Sequence, residues 1–300
     1  RYPGSIYITI FALRGEKQDG HDFVADAFQR GAVLAIVQRD PDVGSPVLNP
    51  RSPDPIGQIG LPFCLWVPDC IAALQQMAAA WRARFSPRVI GITGSVGKTS
   101  TKELVYSVLR QRYRTLRSEG NLNNEIGLPL TLLRLTSEHQ AVVLEMGMYA
   151  PGEIATLAAI ARPQIGIITN VGPSHLERLG SLENIAVAKA ELVEALPADG
   201  IAILNADDPF VRDMAKKTRA RVFTYGLEPG SDLWASDIES RGLEGVRFYF
   251  HHGSQVLQVK VPLLGRHSVH TALRAAAAGL VEGLSWEEIV SGLQNVGAQL

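Results

Sequence analysis

The 300-residue chain has little cysteine, no excess of either charge and no long apolar run. Its two cysteines, Cys64 and Cys70, are too few for a disulfide framework, so we expect a reducing, cytoplasmic compartment. The formal net charge of −1 excludes a basic surface for nucleic acid. No apolar segment reaches the ~20 residues of a membrane span, so we expect no membrane-spanning segment.

Composition shifts along the chain predict two α/β domains. Residues 1–84 alternate short strand-like runs (5–12, 34–37, 64–67) with helix-like runs (23–30, 71–84), and residues 41–62 should form a loop rich in Pro, Gly and Asp. Residues 85–300 form the second predicted domain. Because the chain opens at Arg1 inside a motif, we expect the first domain to be clipped at its start.

The second domain repeats a strand-then-helix pattern. Its predicted strands are 89–93, 141–145, 165–170, 201–205 and 222–225, and its predicted helices are 100–112, 128–135, 153–161, 185–196 and 209–217. These strands are apolar throughout, which indicates a mostly parallel sheet buried on both faces. Residues 233–261 alternate apolar and polar side chains, which predicts an added antiparallel segment before two closing helices at 267–282 and 285–293.

A glycine-rich stretch at residues 91–100, GITGSVGKTS, lies between a predicted strand and a predicted helix. Backbone N–H groups in such a turn cradle phosphate. The standard motif needs glycine at position 92, which is isoleucine, so the tighter form Thr-Gly-x-x-Gly-Lys-Thr fits instead. Lys98 can reach the β- and γ-phosphates, and Thr99 can bind Mg²⁺. The predicted nucleotide-binding residues are Thr93, Gly94, Ser95, Val96, Gly97, Lys98, Thr99 and Ser100.

Polar residues that follow other strands extend this site. Glu145 ends a predicted strand and can complete a Mg²⁺ site with Thr99. His175 follows the next strand, and the three side chains should meet at one edge of the sheet. Residue spacing alone does not decide the role of Lys189, since a surface lysine paired with Glu191 is the simpler interpretation.

Residue spacing alone does not decide the role of two further motifs. Asn121, Asn123 and Asn124 crowd residues 119–127, which can be a polar loop or a site for a phosphate or carboxylate group. Gly265-Arg266-His267 precedes the alanine-rich helix and fits either a helix start or a nucleotide base site.

Together these motifs resemble the Mur ligase family of ATP-dependent amide-bond-forming enzymes, over nearly the whole chain. The segments that carry the resemblance are residues 93–99, 120–127, 170–175, 188–191, 205–208 and 265–267. The opening residues 3–7 and 15–23 are similar to a UDP-substrate domain of this family.

The resemblance implies a reaction and assigns roles. ATP and Mg²⁺ would be bound, and a carboxylate of a UDP-linked muramoyl tripeptide would be phosphorylated and then attacked by the amine of D-alanyl-D-alanine. Metal ligands would be Thr99, Glu145, His175 and a carbamylated Lys189; catalytic groups would be Lys98, His175 and Lys189. The substrate would meet Asn121, Asn123 and Asn124, and the nucleotide would meet His267. We expect a monomer.

The sequence departs from the family pattern at two points, and each departure leads to a further expectation. Ser268 and Thr271 stand where the family usually has asparagines near the adenine. The family also has a third, C-terminal domain that closes over ATP, and the chain stops about where it would begin. We therefore expect that domain to be absent and the chain alone to turn over little or no substrate.

Three alternatives stay open: another Mur-type ligase, a ligase of the cyanophycin or folylpolyglutamate type, or a nucleotide-binding module without catalysis.

Overall fold

A computed structural model describes residues 8–52, 59–174 and 176–295. The chain divides into two compact units, Arg1–Met77 and Ala78–Leu300, and the boundary lies within helix α2 (Cys70–Arg82). The predicted role of the N-terminal part in binding a UDP-linked substrate stays a prediction.

The first unit contains a four-stranded parallel sheet of order β1-β2-β4-β3. Its elements are β1 (Ile8–Phe11), α1 (Val24–Gln29), β2 (Ala32–Val37), β3 (Val47–Leu48) and β4 (Phe63–Trp66). The short strand β3 corrects the prediction of loop throughout residues 41–62, because Val47 and Leu48 pair beside β4. Parts of two predicted elements, residues 5–7 and 53–58, lie outside the described residues.

The second unit is built on a nine-stranded sheet of order β13-β12-β11-β10-β9-β8-β5-β7-β6. Its strands are β5 (Arg88–Thr93), β6 (Thr115–Arg117), β7 (Ala141–Glu145), β8 (Ile165–Ile168), β9 (Ile201–Asn205), β10 (Arg221–Gly226), β11 (Leu233–Ser240), β12 (Val246–His252) and β13 (Gln255–Val261). All neighbours from β6 to β11 are parallel, while β11, β12 and β13 are antiparallel. The predicted mostly parallel sheet with an antiparallel addition is confirmed.

The helices of the second unit cover both faces of this sheet. They are α3 (Lys98–Leu109), α4 (Gly127–Leu132), α5 (Glu153–Ala161), α6 (Leu176–Leu179), α7 (Leu182–Glu194), α8 (Pro209–Asp213), α9 (Ser268–Val281) and α10 (Trp286–Gln294). Helix α3 starts two residues before the predicted bound, so Lys98 and Thr99 belong to its first turn. The predicted helix 209–217 is α8 followed by a 3₁₀ turn, Met214–Lys217.

Close packing on one face fixes the direction of the phosphate-loop helix. A Cβ on Gly292 of α10 would lie 2.5 Å from the Val108 Cα of α3, so the two helices approach at backbone distance. The residues Ala275–Ala278 of α9 are fully buried against the same helix and the sheet. In the described part of the chain, no helix has both the length and the apolar character that a bilayer crossing requires.

Candidate active site at the phosphate loop

The loop between β5 and α3 holds a conformation that only glycine fits at two positions. Gly94 has φ +145° and Gly97 has φ +83°. A Cβ on Gly94 would lie 1.8 Å from the Thr169 Oγ1, so the loop passes directly over the end of β8. Lys98 begins α3, and its Nζ donates to the Gly94 and Ser95 carbonyls at 2.9 and 3.3 Å. The ammonium group therefore lies within the loop that would surround a phosphate.

A second loop, residues 170–174, follows β8 and braces the phosphate loop. The Asn170 side chain exchanges two hydrogen bonds with the Val96 backbone, at 3.0 and 3.1 Å. Gly172 N donates to the Ser95 Oγ at 2.9 Å. Behind this loop, the Asp208 carboxylate accepts from Val171 N at 2.8 Å and also caps α8. The motif at residues 205–208 thus supports the phosphate loop indirectly, through residues 170–174.

Glu145, at the end of β7, is almost fully buried and joins three elements. Its Oε2 accepts from the Thr99 hydroxyl at 2.9 Å, and its Oε1 accepts from the Asn123 Nδ2 at 2.8 Å. The buried Lys102 ammonium lies 4.0 Å from Oε2 and donates to the Gly120 carbonyl at 3.1 Å. Thr99, Glu145 and the asparagine loop, predicted to contribute to one site, are therefore in direct contact.

The three asparagines of residues 119–127 take different places. Asn123 and Asn124 line a cavity beside the phosphate loop, whereas Asn121 is exposed to solvent. Asn124 also accepts from Gly127 N at 2.9 Å, which satisfies an amide at the start of α4.

Lys189 on α7 is 2% exposed and lines the same cavity. Within the described residues, its ammonium group has no hydrogen-bond or ion-pair partner. Burial, together with the nearby charge of Lys98, lowers the pKa of Lys189 to about 7. Burial also lowers the pKa of Lys98, which Glu145 partly offsets. A buried amine of this kind is partly neutral near pH 7 and available to react or to bind an anion.

The local pairing of Lys189 with Glu191 does not occur. The Glu191 carboxylate instead accepts from Gly152 N at 2.6 Å and from Ala155 N at 2.9 Å. These bonds cap α5, whose own N-cap residue is a glycine without a side-chain oxygen. Glu191 therefore fixes the loop after β7, and Lys189 is left facing the cavity.

The cavity brings the ends of β5 and β7 against α7. It has a volume of about 90 Å³. Its lining residues are Gly94, Lys98, Asn123, Asn124, Gly147, Met148, Tyr149, Glu153 and Lys189. Two ammonium groups at its phosphate-loop side suit an anionic group such as a phosphate or carboxylate.

Of two further predicted site residues, one is not described and the other lies away from this cavity. His175 is outside the described residues, and its predicted role stays a prediction. His267 is exposed just before α9 and does not line this cavity. Ser268 donates to the Leu264 carbonyl at 2.6 Å, so its hydroxyl closes the turn before α9. In the part of the chain that is described, no three His, Cys, Asp or Glu side chains cluster as metal ligands.

Sequence reasoning did not find the role of three residues that hold this site together: Lys102, Glu191 and Arg274. Arg274 on α9 donates to the Thr101 hydroxyl of α3 at 3.0 Å and to the Tyr225 hydroxyl at 2.8 Å. Each of the three connects segments far apart in sequence. The one sequence signal that could have found them is a charged residue within a run that forms a buried helix.

Comparison with known proteins identifies the class of this fold and site. Residues 92–279 match the Mur ligase middle domain, which is more than half of the chain. The chain belongs to the Mur ligase family.

Individual relatives show which members of the family the chain is similar to. The UDP-N-acetylmuramoyl-tripeptide–D-alanyl-D-alanine ligase of Synechocystis is 40% identical over 94% of this chain and 57% of the relative. MurF from Acinetobacter baumannii superimposes with a TM-score of 0.83 at 34% identity, over 96% of this chain and 59% of that one. MurF from Thermotoga maritima, solved in complex with ADP, gives 0.82 at 27% identity, over 96% and 63%. The chain thus spans about three fifths of the length of these relatives.

Proposed function

We propose that this chain supplies the nucleotide-binding and acyl-activating part of an ATP-dependent amide ligase. The reaction joins D-alanyl-D-alanine to a UDP-N-acetylmuramoyl-tripeptide in peptidoglycan synthesis. One observation carries the proposal: Lys98 of the phosphate loop and the buried Lys189, which has no partner among the described residues, line one cavity with Asn123 and Asn124. Its relatives named for this reaction support the choice of substrates.

The chemistry has two steps. A carboxylate oxygen of the tripeptide attacks the γ-phosphorus of ATP, the bond to the β–γ bridging oxygen breaks, and ADP leaves. The amine of D-alanyl-D-alanine then attacks the acyl carbon of the acyl phosphate. The tetrahedral intermediate loses phosphate as its carbon–oxygen bond breaks, and the amine proton passes to solvent.

The chain's own residues orient and neutralise the reacting groups. The ammonium of Lys98 and the amides of residues 94–98 stabilise negative charge on the transferring phosphoryl group. Asn123 and Asn124 hold the acceptor carboxylate at the cavity wall. Residues 170–172 keep the phosphate loop in shape, because Asn170 and Gly172 bond to Val96 and Ser95.

The donor set also fits Mg²⁺, which prefers oxygen ligands. The Thr99 hydroxyl and the Glu145 carboxylate lie 2.9 Å apart at the loop, and the proposed further ligands are His175 and a carbamate on Lys189. When bound, the metal would neutralise phosphate charge.

The environment of Lys189 supports the proposed carbamylation. A neutral amine attacks CO₂, the new N–C bond gives a carbamate, and one proton is released. The pKa of about 7 leaves the amine partly neutral, and no partner among the described residues occupies it. The carbamate would supply an anionic oxygen ligand in the cavity that Lys189 shares with Lys98.

The test measures phosphate release by the protein at its natural full length, with ATP, the UDP-muramoyl-tripeptide and D-alanyl-D-alanine. We expect release that depends on both substrates and an amide-linked pentapeptide product by mass spectrometry. Phosphate release that does not depend on the dipeptide would refute the proposed reaction.

A further inference from the structure

Arg274, in the middle of α9, is a buried cation that lies against the phosphate loop. Its side chain is 4% exposed. A Cβ on Gly97 would lie 3.2 Å from the Arg274 Nη1, so the guanidinium contacts the loop at the glycine directly before Lys98. Arg274 is not among the residues that line the cavity of Lys98 and Lys189. Any effect of its charge on a bound phosphate is therefore exerted through the loop.

The hydrogen-bond partners of Arg274 are neutral. Its Nε donates to the Tyr225 hydroxyl at 2.8 Å, and its Nη1 donates to the Thr101 hydroxyl at 3.0 Å. The Tyr225 hydroxyl keeps its proton, because it donates to the Ile168 or Thr169 carbonyl, each at 3.2 Å. Of the aspartates and glutamates that the structure describes, none forms an ion pair with Arg274. A buried charge without a counter-ion is costly.

The dipole of α3 adds to this cost. Thr101 belongs to the first turn of that helix, whose N-terminal end carries partial positive charge. Arg274 thus places a full positive charge beside a positive helix end, and Lys98 adds another in the same turn. An anion bound on the loop would offset all three contributions at once.

Arg82 shows how the same fold accommodates a buried arginine without a ligand. It is 6% exposed, and it donates to the Ala161 carbonyl at 3.0 Å and to the Phe85 carbonyl at 2.9 Å. Ala161 is the last residue of α5, so this cation lies at the negative end of a helix, where its charge is stabilised. Arg274 lies at the positive end of a helix, where the fold supplies no such compensation.

We infer that Arg274 is a positioning residue whose charge strengthens phosphate binding on the loop, and that the nucleotide phosphates are the counter-ion of its buried guanidinium. The inference rests on the proposed function only in that the loop binds a nucleotide. The hydroxyls of Tyr225 and Thr101 hold the guanidinium in place, and its charge, rather than these hydrogen bonds, sets the affinity.

The experiment measures ADP binding by calorimetry for the protein at natural full length. EDTA is present, because divalent cations would themselves neutralise the phosphates. Arg274→Gln removes the charge but keeps an N–H donor, whereas Arg274→Lys keeps the charge without the planar fork of donors. Thr101→Val removes one hydrogen-bond partner and leaves the charge. Arg82→Gln is the matched control, since it removes an equally buried arginine that has no contact with the phosphate loop.

We expect Arg274→Gln to weaken ADP binding about tenfold, as for the loss of a nearby unit charge in a protein interior. Arg274→Lys and Thr101→Val should stay within about threefold of the unmodified protein, because both keep the charge. Arg82→Gln should bind ADP as the unmodified protein does. Thermal unfolding shows which variants are folded. If Arg274→Gln does not fold, the other two site variants still decide, because a role limited to hydrogen bonds requires both to lose affinity.

Unchanged ADP affinity in Arg274→Gln, an equal loss in Arg82→Gln, or an equal loss in Arg274→Lys would overturn the inference. An unmodified protein that binds no ADP would contradict both the inference and the nucleotide-binding role of the loop. An unmodified protein that binds ADP but forms no amide bond would contradict the proposed reaction alone and leave the role of Arg274 standing.

Discussion

The large sheet has a parallel part, β5 to β9, and an antiparallel extension, β11 to β13. The two parts differ in where their polar side chains lie and how these are paired. In the extension, polar groups pair with one another at the surface. Arg247 bonds to Glu239 at 2.7 Å, and Lys260 bonds to Glu244 at 2.9 Å. Trp234 stacks on His251 with ring centroids 3.7 Å apart. These groups are satisfied within the extension itself.

In the parallel part, polar groups gather at the carboxyl ends of strands and are buried. Parallel strands place these ends at the same edge of the sheet, which is where ligands bind in open α/β folds. Glu145 and Lys189 are both about 2% exposed, and Lys189 has no partner among the described residues. Buried polar groups that stay incompletely paired are costly, so their presence marks a functional edge.

The largest predicted effect concerns the pH dependence of stability through Lys189. Its pKa falls from 10.5 to about 7 on folding, so between these values the unfolded chain holds a proton that the folded chain lacks. Stability of the second unit should therefore rise with pH above about 7, by up to about 1.4 kcal/mol per pH unit. Urea unfolding in CO₂-free buffer at pH 7, 8 and 9 measures this slope.

Two variants make that measurement specific. Lys189→Met removes the titrating group and should flatten the slope. Lys217→Met, on the exposed 3₁₀ turn, should leave it unchanged. Equal slopes in the unmodified protein and Lys189→Met would show that the buried amine does not titrate as described.

The next effect compares a lysine of each region. Lys98→Ala should weaken ADP and ATP binding about 30-fold, because a charge-assisted contact contributes about 2 kcal/mol. Lys260→Ala removes a lysine of the extension that pairs with Glu244, so nucleotide affinity should stay the same. Titration calorimetry of both variants gives the comparison, and equal affinities would contradict the phosphate-loop assignment.

Local signals predicted the elements of the parallel part well. The observed strands Ala141–Glu145 and Ile201–Asn205 have the predicted bounds, since each is an apolar run that ends at a polar residue. The phosphate loop was also readable, because its glycines are required by backbone geometry at Gly94 and Gly97.

The supporting contacts could not be predicted in this way. Lys102 and Arg274 are charged residues in helices, and each donates a hydrogen bond to a group 18 or more positions away in sequence. Only the packing of α3 against the asparagine loop and α9 brings them to those partners. The same holds for Glu191, whose spacing suggested Lys189 as partner while the fold placed it at the start of α5. Strand β6 has only three residues, too few for a recognisable pattern.

The smallest predicted effect is on ADP binding, and it distinguishes the loss of a helix cap near the site from the loss of a helix cap far from it. Asp208 caps α8 and also accepts from Val171 N, in the loop that braces the phosphate loop. Ser285 caps α10 with a capping box and has no contact with that loop. Asp208→Ala and Ser285→Ala should each cost about 1 kcal/mol of stability, as lost helix caps do. Because only Asp208 positions residues 170–172, only its variant should also weaken ADP binding, by a few-fold. Thermal unfolding and calorimetry on both variants test this, and equal ADP affinity in the two would mean that the phosphate loop keeps its shape without support from β9.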